Sequence, residues 1–513
     1  MSKLQIENEE TGIVGRFWRG SSRWASVFAA AMVFFLAWEV FRFGAPVAGG
    51  SDSSGYLNFA RSLGDGKMLI EQRVPDGLDL WEGGERLFYP LGYRNPGDGS
   101  LVPTYPIGMP LMMAPLLKLF GLEMGIRLLL AAVVGLAGWG FWKLGRNWGV
   151  SGISVFFGMA AMFVSPLFFL AALSPMTDAL SLCLAVWTIF FSIRSPASLW
   201  WAVLAGIALG MAVLVRPTGV FLGFAVVAAL VVENVFWKRF AWVVVGGLPS
   251  LAILLYSNKA MYGDWLASGY GSIGHLLRVD YVWLSLANIW ENGRYALSPI
   301  VMALVITSII GSVFLGRRSW ILAFWSLPTT IFYLVYWHTH EAWWFLRFLL
   351  PALPGFVLWG LWGFERMAER IGDRISGGFK LAAYAVALVL VIGHGISLRK
   401  EKAVYLTGAY EGRYAAIGNW LSRNAEENAL VMAMQCSGSV YYYTDLAVFR
   451  YDKAKEKDWL GLRKSLEGSG VSVYAALFDF EVKSERSPLK VMAGDWNEVK
   501  GEFGSASVFR LDY

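Results

Sequence analysis

The chain has 513 residues, of which 56% are hydrophobic, 16% aromatic and only 16% charged, with a mean hydropathy of +0.49. Soluble domains carry about 25% charged residues, so this composition excludes a string of ordinary water-soluble domains and requires lipid as part of the solvent. A net charge of +6 without any basic block excludes a nucleic-acid partner, which needs clustered cations, and the two cysteines, Cys183 and Cys436, make neither a disulfide framework nor a zinc site.

A bilayer span needs about 20 mostly apolar residues. In chain order such runs are expected at 24–44, 125–145, 152–172, 177–193, 199–215, 218–236, 240–257, 296–316, 320–337, 344–363 and 379–398, about eleven spans. The first follows Arg16, Arg19 and Arg23. It is too long and lacks the small-residue cleavage site of a signal peptide, so it is expected to stay as an anchor. Lys and Arg in short loops mark the cytoplasmic side. With residues 1–23 inside, the inner connectors receive Lys143, Arg146, Arg194, Lys238, Arg239, Arg317, Arg318, Arg366, Arg370, Arg374 and Lys380, whereas the short outer loops hold Arg216 and the neighbourhood of Arg347. The C-terminus then lies outside, together with the long polar stretches 45–124 and 258–295. These features predict a multi-pass protein of the plasma (inner) membrane, a polytopic α-helical unit over 24–398 with an exoplasmic, periplasm-facing segment from 399 to 513. In that segment helical patterns at 410–424 and 454–468 alternate with β-rich runs at 429–434, 446–451, 471–480 and 506–513, which predicts a small α/β domain.

The polar residues gather outside. Past the first span, residues 49–63 place Asp52 in a Gly/Ser-rich turn before an amphipathic pattern with Tyr56, Phe59, Ala60 and Leu63 on one face. Asp52 has two readings there: a helix cap, or a carboxylate able to take a proton from a hydroxyl. The stretch 104–121, with Tyr105 near its start, is too interrupted by proline to span and is expected as a rigid interfacial segment with its Leu/Met side toward lipid. Asp178 opens the fourth span, Arg216 closes the fifth, and Arg347 lies about one turn into the tenth. Ionisable groups at such depth usually mark a pathway or site, and snorkelling is the competing reading for both arginines. His338, His340 and Glu341 resemble a metal-ligand cluster but match no zinc signature. The loop 258–295 offers Arg294 among several charged residues, with no spacing that singles one out.

Taken in order, the first span, the loop opening on Ser-Asp52 with Tyr56, the Tyr-Pro-Ile-Gly-Met-Pro-Leu-Met-Met-Ala-Pro-Leu-Leu-Lys-Leu-Phe-Gly stretch, Pro-Met-Thr-Asp178, Arg216-Pro-Thr-Gly and Arg347-Phe-Leu-Leu-Pro resemble the GT-C superfamily, in particular its bacterial protein-mannosyltransferase and aminoarabinose-transferase branch. The resemblance covers most of residues 20–365 and implies an inverting glycosyltransferase: a sugar passes from a polyprenyl-phosphate donor to a lipid, glycan or protein acceptor at the outer membrane face. It implies Asp52 as general base. The branch often has an acidic pair in this loop, whereas here two serines follow Asp52, which leaves Asp178 as the nearest partner carboxylate. Arginine suits the departing phosphate better than lysine, because its planar fork donates two parallel hydrogen bonds. Arg347 and Arg94 are the leading expectations for that role, followed by Arg216 and Arg294, while Tyr56, Tyr105, Asp178, His338, His340 and Glu341 are expected to line the substrate. The family includes metal-dependent and metal-independent enzymes, so a divalent metal ion stays open as a cofactor. The competing class is a polytopic transporter or lipid flippase, for which related halves and mid-membrane charges are expected.

Overall fold

The computed structural model describes residues 13–312, 316–371 and 377–512. The start of the expected inner segment 1–23, Arg374 and Tyr513 lie outside them, as do the side chains of Arg16, Arg19, Arg23, Arg370 and Lys380. The first helix, α1 (Ile13–Phe43), carries an apolar stretch from Trp24 to Phe43 long enough to cross a membrane. The outer loop that follows is structured. It contains α2 (Asp52–Gly64) and a small antiparallel sheet of β1 (Ile70–Glu71), β2 (Tyr93–Arg94) and β3 (Ser100–Pro103), in the order β1-β3-β2.

The proline-rich stretch 104–121 is helical from Gly108 and stays distinct from the span after it: within α3 (Gly108–Trp148) two helices meet at a kink at Gly121 (φ 72°, ψ −179°). Proline is tolerated in a first helical turn, where Pro110 stands, and Gly121 supplies the backbone angle of the kink. One part of the expectation is corrected: not all of the Leu/Met side faces outward, since Met109 and Met113 are buried in the core, and Leu119 and Phe120 are the exposed pair.

Further along are α4 (Gly152–Phe163), α5 (Pro166–Leu173), α6 (Thr177–Arg194), α7 (Leu199–Val215), α8 (Leu222–Val232), α9 (Phe236–Tyr262), α10 (Tyr281–Asn292), α11 (Pro299–Ser312), α12 (Ser319–Leu334), α13 (Leu353–Ile371) and α14 (Gly377–Glu401). Over its described residues, each of the eleven expected runs is mostly helical. Among the described residues five helices are long and apolar enough to cross alone, two bent pairs would do so together, and four are shorter apolar helices. One pair, α4 with α5, bends by 65° where Ser165 caps the second helix ahead of Pro166. In the other, a 3₁₀ segment (Trp343–Leu349) meets α13 at 73° beside Pro351, whose ring cannot continue a helix. Arg347 therefore sits on that bent 3₁₀ segment and not inside a straight tenth span. The basic connectors meet at the end where α6 finishes: Arg194 reaches Asn147, Arg239 the Ser195 carbonyl, and Arg318 pairs with Glu233 at 3.0 Å. Asp178 and Arg216 are at the other end.

The C-terminal layer comprises α15 (Thr407–Asn424), β4 (Leu430–Met432), α16 (Ser437–Tyr443), β5 (Ala447–Phe449), α17 (Glu456–Leu466), β6 (Val473–Phe478), two short helices, β7 (Asp495–Glu498) and β8 (Ala506–Asp512). Its sheet order is β5-β4-β6-β8-β7, with β4 parallel to both β5 and β6, and β8 antiparallel to β6 and β7. Side chains alternate along β6 as the pleat requires. Val473, Ala475 and Leu477 face α17, while Tyr474, Ala476 and Phe478 face α15. The polar edge strand β7 is an element the sequence pattern did not announce.

Although the polypeptide divides near residue 399, the structure does not divide there. Leu78, Leu87 and Phe88 from the first loop belong to the core between the sheet and α17. Asn58 donates to the Gly438 carbonyl at 2.9 Å, and Arg73 to the carbonyls of Tyr441 and Thr444. On the membrane side, Glu39 of α1 is offset by Arg399 at 3.2 Å, with Tyr405 donating to Glu39 at 2.9 Å. Arg399 also donates to the carbonyls of Phe163 and Val164 at the α4–α5 bend, and its guanidinium lies 3.7 Å from the Phe169 ring centre. Removing one member of a buried pair costs about 3–5 kcal/mol because the other charge is left uncompensated. Glu39→Gln is therefore expected to lower the thermal midpoint in detergent markedly, and the double change Glu39→Met with Arg399→Leu to recover most of it. An unchanged midpoint for Glu39→Gln would overturn the assignment.

Candidate active site

Asp52 is the first residue of α2, and its carboxylate does not cap the helix. The N-cap is Ser51, in helical conformation and without a side-chain cap bond. The carboxylate turns away, toward Tyr105 and Arg347. What brings Tyr105 in is the absence of side chains at two glycines: Cα of Gly55 packs against Gly92, whose φ is +83°, and a Cβ on Gly55 would stand 2.6 Å from the Tyr105 ring. Tyr105 Oη then donates to Asp52 Oδ1 at 2.7 Å and shares a second hydrogen bond of 2.7 Å with Ser51 Oγ. Burial, reinforced by the Asp52 charge, pushes the Tyr105 hydroxyl well above its ordinary pKa, so it acts as a neutral donor. Tyr56 packs on Tyr105 with ring centres 4.8 Å apart.

The other Asp52 oxygen meets the bundle. Arg347 Nη2 donates to Asp52 Oδ2 at 2.7 Å, and Arg347 Nε lies 3.7 Å from Asp178 Oδ2. Asp178 in turn accepts from Arg216 Nη2 at 2.7 Å, which also donates to Thr177 Oγ1 at 3.0 Å. Four charges thus alternate in sign: Asp52, Arg347, Asp178, Arg216. The Phe348 ring braces both guanidiniums, at 5.6 Å from Arg347 and 5.5 Å from Arg216, and Tyr333 stacks behind it at 5.3 Å.

Exposure sorts the two acids. The Asp52 side chain is 34% exposed and that of Asp178 only 1%. Asp52 is the acid open to solvent, and Asp178 is sealed between the two arginines. Both arginines keep donors in reserve, since Arg347 Nε and Arg216 Nη1 are buried without a hydrogen-bond partner among the described residues. Unspent buried donors are costly and call for an explanation. An oxyanion placed beside them would supply the missing acceptors.

The other expected residues lie elsewhere. Arg94 Nη2 donates to the Tyr270 carbonyl at 3.0 Å, and the Tyr270 ring packs edge-on against Tyr105. Arg94 thus braces the second outer loop beside the site. Arg294 donates to Tyr295 Oη at 2.9 Å and lies 3.7 Å from Glu401, a separate cluster. His338 Nδ1 is 2.6 Å from Glu341 Oε2, Trp337 Nε1 donates to the other oxygen at 2.7 Å, and His340 packs against Tyr281 and Trp337. These three hold the turn before the Arg347 segment, whose Phe345 stacks on His338. Among the described residues no three His, Cys, Asp or Glu side chains form a metal-holding group. With Asp52 and Asp178 both engaged by arginine, these residues do not fit a divalent-ion site as they stand. Thr177, Met176, Tyr270 and Phe348 join the site without having been expected. Thr177 and Phe348 adjoin expected residues in sequence, and Tyr270 carries no local signal.

An amphiphilic cavity of about 480 Å³ lies along the far end of α2, lined by Ala60, Arg61, Ala114, Leu117, Lys118 and Tyr442 among others. It is bounded by α2, the interfacial half of α3 and α16, beside the exposed Leu119 and Phe120.

No family model matches the chain, and no curated protein matches it. Solved structures do. ArnT from Cupriavidus metallidurans, bound to undecaprenyl phosphate, superposes with a TM-score of 0.60 at 13% identity, over 95% of this chain and 98% of that one. The archaeal oligosaccharyltransferase AglB from Archaeoglobus fulgidus, in complex with an inhibitory peptide and a dolichol-phosphate, gives 0.52 at 11% identity, over 94% and 74%. The arabinofuranosyltransferase AftD from Mycobacteria gives 0.51 at 12% identity, covering 96% of this chain and 40% of that larger one. All three are GT-C glycosyltransferases, and the fold of this chain is the GT-C fold, a polytopic helical membrane unit with a small C-terminal sheet region.

Proposed function

We propose that the chain transfers a sugar from a polyprenyl-phosphate donor to an acceptor hydroxyl of a lipid, glycan or protein, at the outer membrane face and with inversion. The observation that carries this reading is the pairing of one open carboxylate with two buried arginines that hold unused N–H donors. A glycosyl phosphate brings its own leaving group, so the work is to remove a proton and to receive negative charge. Asp52 takes the acceptor's proton as the hydroxyl oxygen attacks the anomeric carbon. The bond from that carbon to the phosphate oxygen breaks, its electron pair leaves with the prenyl phosphate, and Arg347 with Arg216 receives the charge. The proton passes from Asp52 to water. Attack from the side opposite the phosphate inverts the carbon.

The fold neighbours solved with undecaprenyl phosphate or dolichol-phosphate support the lipid carrier. The outer location rests on the basic connectors, which lie at the end opposite Asp178 and Arg216 and by the positive-inside rule face the cytoplasm. The donor tail is assigned to the apolar flank of α3 between residues 108 and 122.

The test has two arms. Purified protein supplied with a panel of polyprenyl-phosphate sugars and membrane extract is expected to release free prenyl phosphate from at least one donor. A photoreactive prenyl-phosphate analogue is expected to label peptides within 108–122. Labelling confined to other spans would overturn the tail assignment, and release from no donor would overturn the function.

A further inference from the structure

The C-terminal layer does more than cover the site. The turn that delivers Asp52 is packed against it: a Cβ on Gly49 would collide with the Glu411 carboxylate and stand 3.1 Å from the Tyr414 ring, and a Cβ on Gly50 would stand 3.6 Å from Gln435 Nε2. Gln435 Nε2 donates to Tyr414 Oη at 2.9 Å. Gln435 follows β4, at the carboxyl end of the parallel strands. From β4 the chain passes to β5 on one side and then crosses to β6 on the other, so the crevice between β4 and β6 is a topological switch point. Open α/β sheets hold their ligands at such points, and here Gln435, just past β4, lies beside Gly50, two residues before Asp52.

Glu411, on α15, is the charged group at this junction. Its carboxylate makes no hydrogen bond and no ion pair among the described residues. The neighbouring Arg413 is committed elsewhere, donating to the Tyr410 carbonyl and to Ser505. Burial pushes the Glu411 pKa up to about 7, Arg413 opposes the rise, and the Asp52 charge adds to it. Tyr414 on the same helix and Tyr443 on α16 complete the ionisable groups around it, and burial keeps both neutral.

We infer that Glu411, supported by Tyr414 and Gln435, is a specificity residue: its carboxylate accepts hydrogen bonds from the hydroxyl or ammonium groups of a sugar head entering beside Asp52. This rests on the glycosyltransfer reading and deepens it. A free acid with spare lone pairs, a phenol and a carboxamide around one turn are the groups that bind polyols and amino sugars, and nothing in the chemistry assigned to Asp52 and the arginines uses them. The sugar head can belong to the donor or to the acceptor.

Steady-state kinetics of Glu411→Gln, with donor and acceptor varied separately, distinguish the two. The variant is expected to raise KM about ten-fold for the substrate whose head it binds, as for one lost hydrogen bond to a charged group, and to leave kcat within about three-fold. In the wild type that KM should rise as pH falls through 7, because protonation removes an acceptor. The rise should be absent in Glu411→Gln. Gly49→Ala, which displaces the carboxylate without changing its charge, should reproduce the KM effect and, because the contact is already lost, also flatten the pH dependence. If wild type and Glu411→Gln share KM values and pH profile at equal thermal midpoints, the inference is overturned. A fall in kcat and thermal midpoint with no KM change would assign Glu411 a structural role and also overturn it. Wild-type protein that transfers no sugar from any donor would sink the underlying reading, and this inference with it.

Discussion

Asp52→Asn is expected to lower kcat for sugar transfer by about 10²- to 10⁴-fold, the range a positioned general base contributes. Asparagine keeps the shape of the side chain, and its Oδ1 can still accept from Tyr105, which holds the native oxygen at 2.7 Å. What it loses is the capacity to take the acceptor's proton. Arg347 remains close to Asp178, and position 52 is part-open to solvent, so the fold should tolerate the change. Single-turnover transfer from a preloaded donor, with the thermal midpoint measured on the same preparation, separates lost chemistry from lost structure. Near-native single-turnover rates would remove Asp52 from the mechanism.

The second large effect is at Arg347. Among the described residues this side chain joins the open acid to the sealed one, so on the proposed mechanism Arg347→Ala removes a donor to the leaving phosphate and also releases Asp52 from its bearing. Loss of one preorganised donor to a developing oxyanion costs about 10²- to 10³-fold in rate, and the misplaced base adds to that. Arg347→Lys keeps the charge but not the fork. A lysine ammonium is a compact point charge without the planar fork and does not reproduce the geometry in which Nη2 meets Asp52 while Nε lies beside Asp178, so it should recover less than a tenth of the lost rate. Arg94→Ala is the useful comparison, because Arg94 contacts the loop carbonyl of Tyr270 and not the acids. Its kcat should stay within about ten-fold of wild type. If Arg94→Ala proved the more damaging of the two, the phosphate assignment would have to move to the second outer loop.

Much of this arrangement was legible from residue order. The apolar runs were visible because lipid imposes length and composition on every helix that faces it. Asp52, Asp178, Arg216 and Arg347 stood out because ionisable groups are scarce near hydrocarbon, and the structure links all four through contacts of 2.7 to 3.7 Å. The β-runs after residue 428 showed in their composition, rich in β-branched and aromatic residues. The failures have physical causes as well. Arg94 and Arg294 were expected at the phosphate on residue type and sidedness alone, and neither property encodes which neighbour a flexible guanidinium meets. Pro110 and Pro115 marked 104–121 as too interrupted to span, but the residue that separates it from the next span is Gly121, which no proline announced. Glu411 gave no signal, because its relation to Asp52 depends on a docking between segments some 360 residues apart, and single-sequence periodicity is blind to such a contact.

The shared core of the first loop and the C-terminal sheet sets a schedule on biogenesis. Leu78, Leu87 and Phe88 leave the ribosome well before the strands they pack against, β4 to β8. Until then the turn carrying Asp52 has no Gln435 or Glu411 beside it and no Gly438 carbonyl to anchor Asn58. A chain arrested before residue 430 would possess every residue assigned to proton and phosphate handling and still have an unassembled site. On the proposed function, activity would therefore await the sheet, and the segments inserted before it would stay catalytically silent.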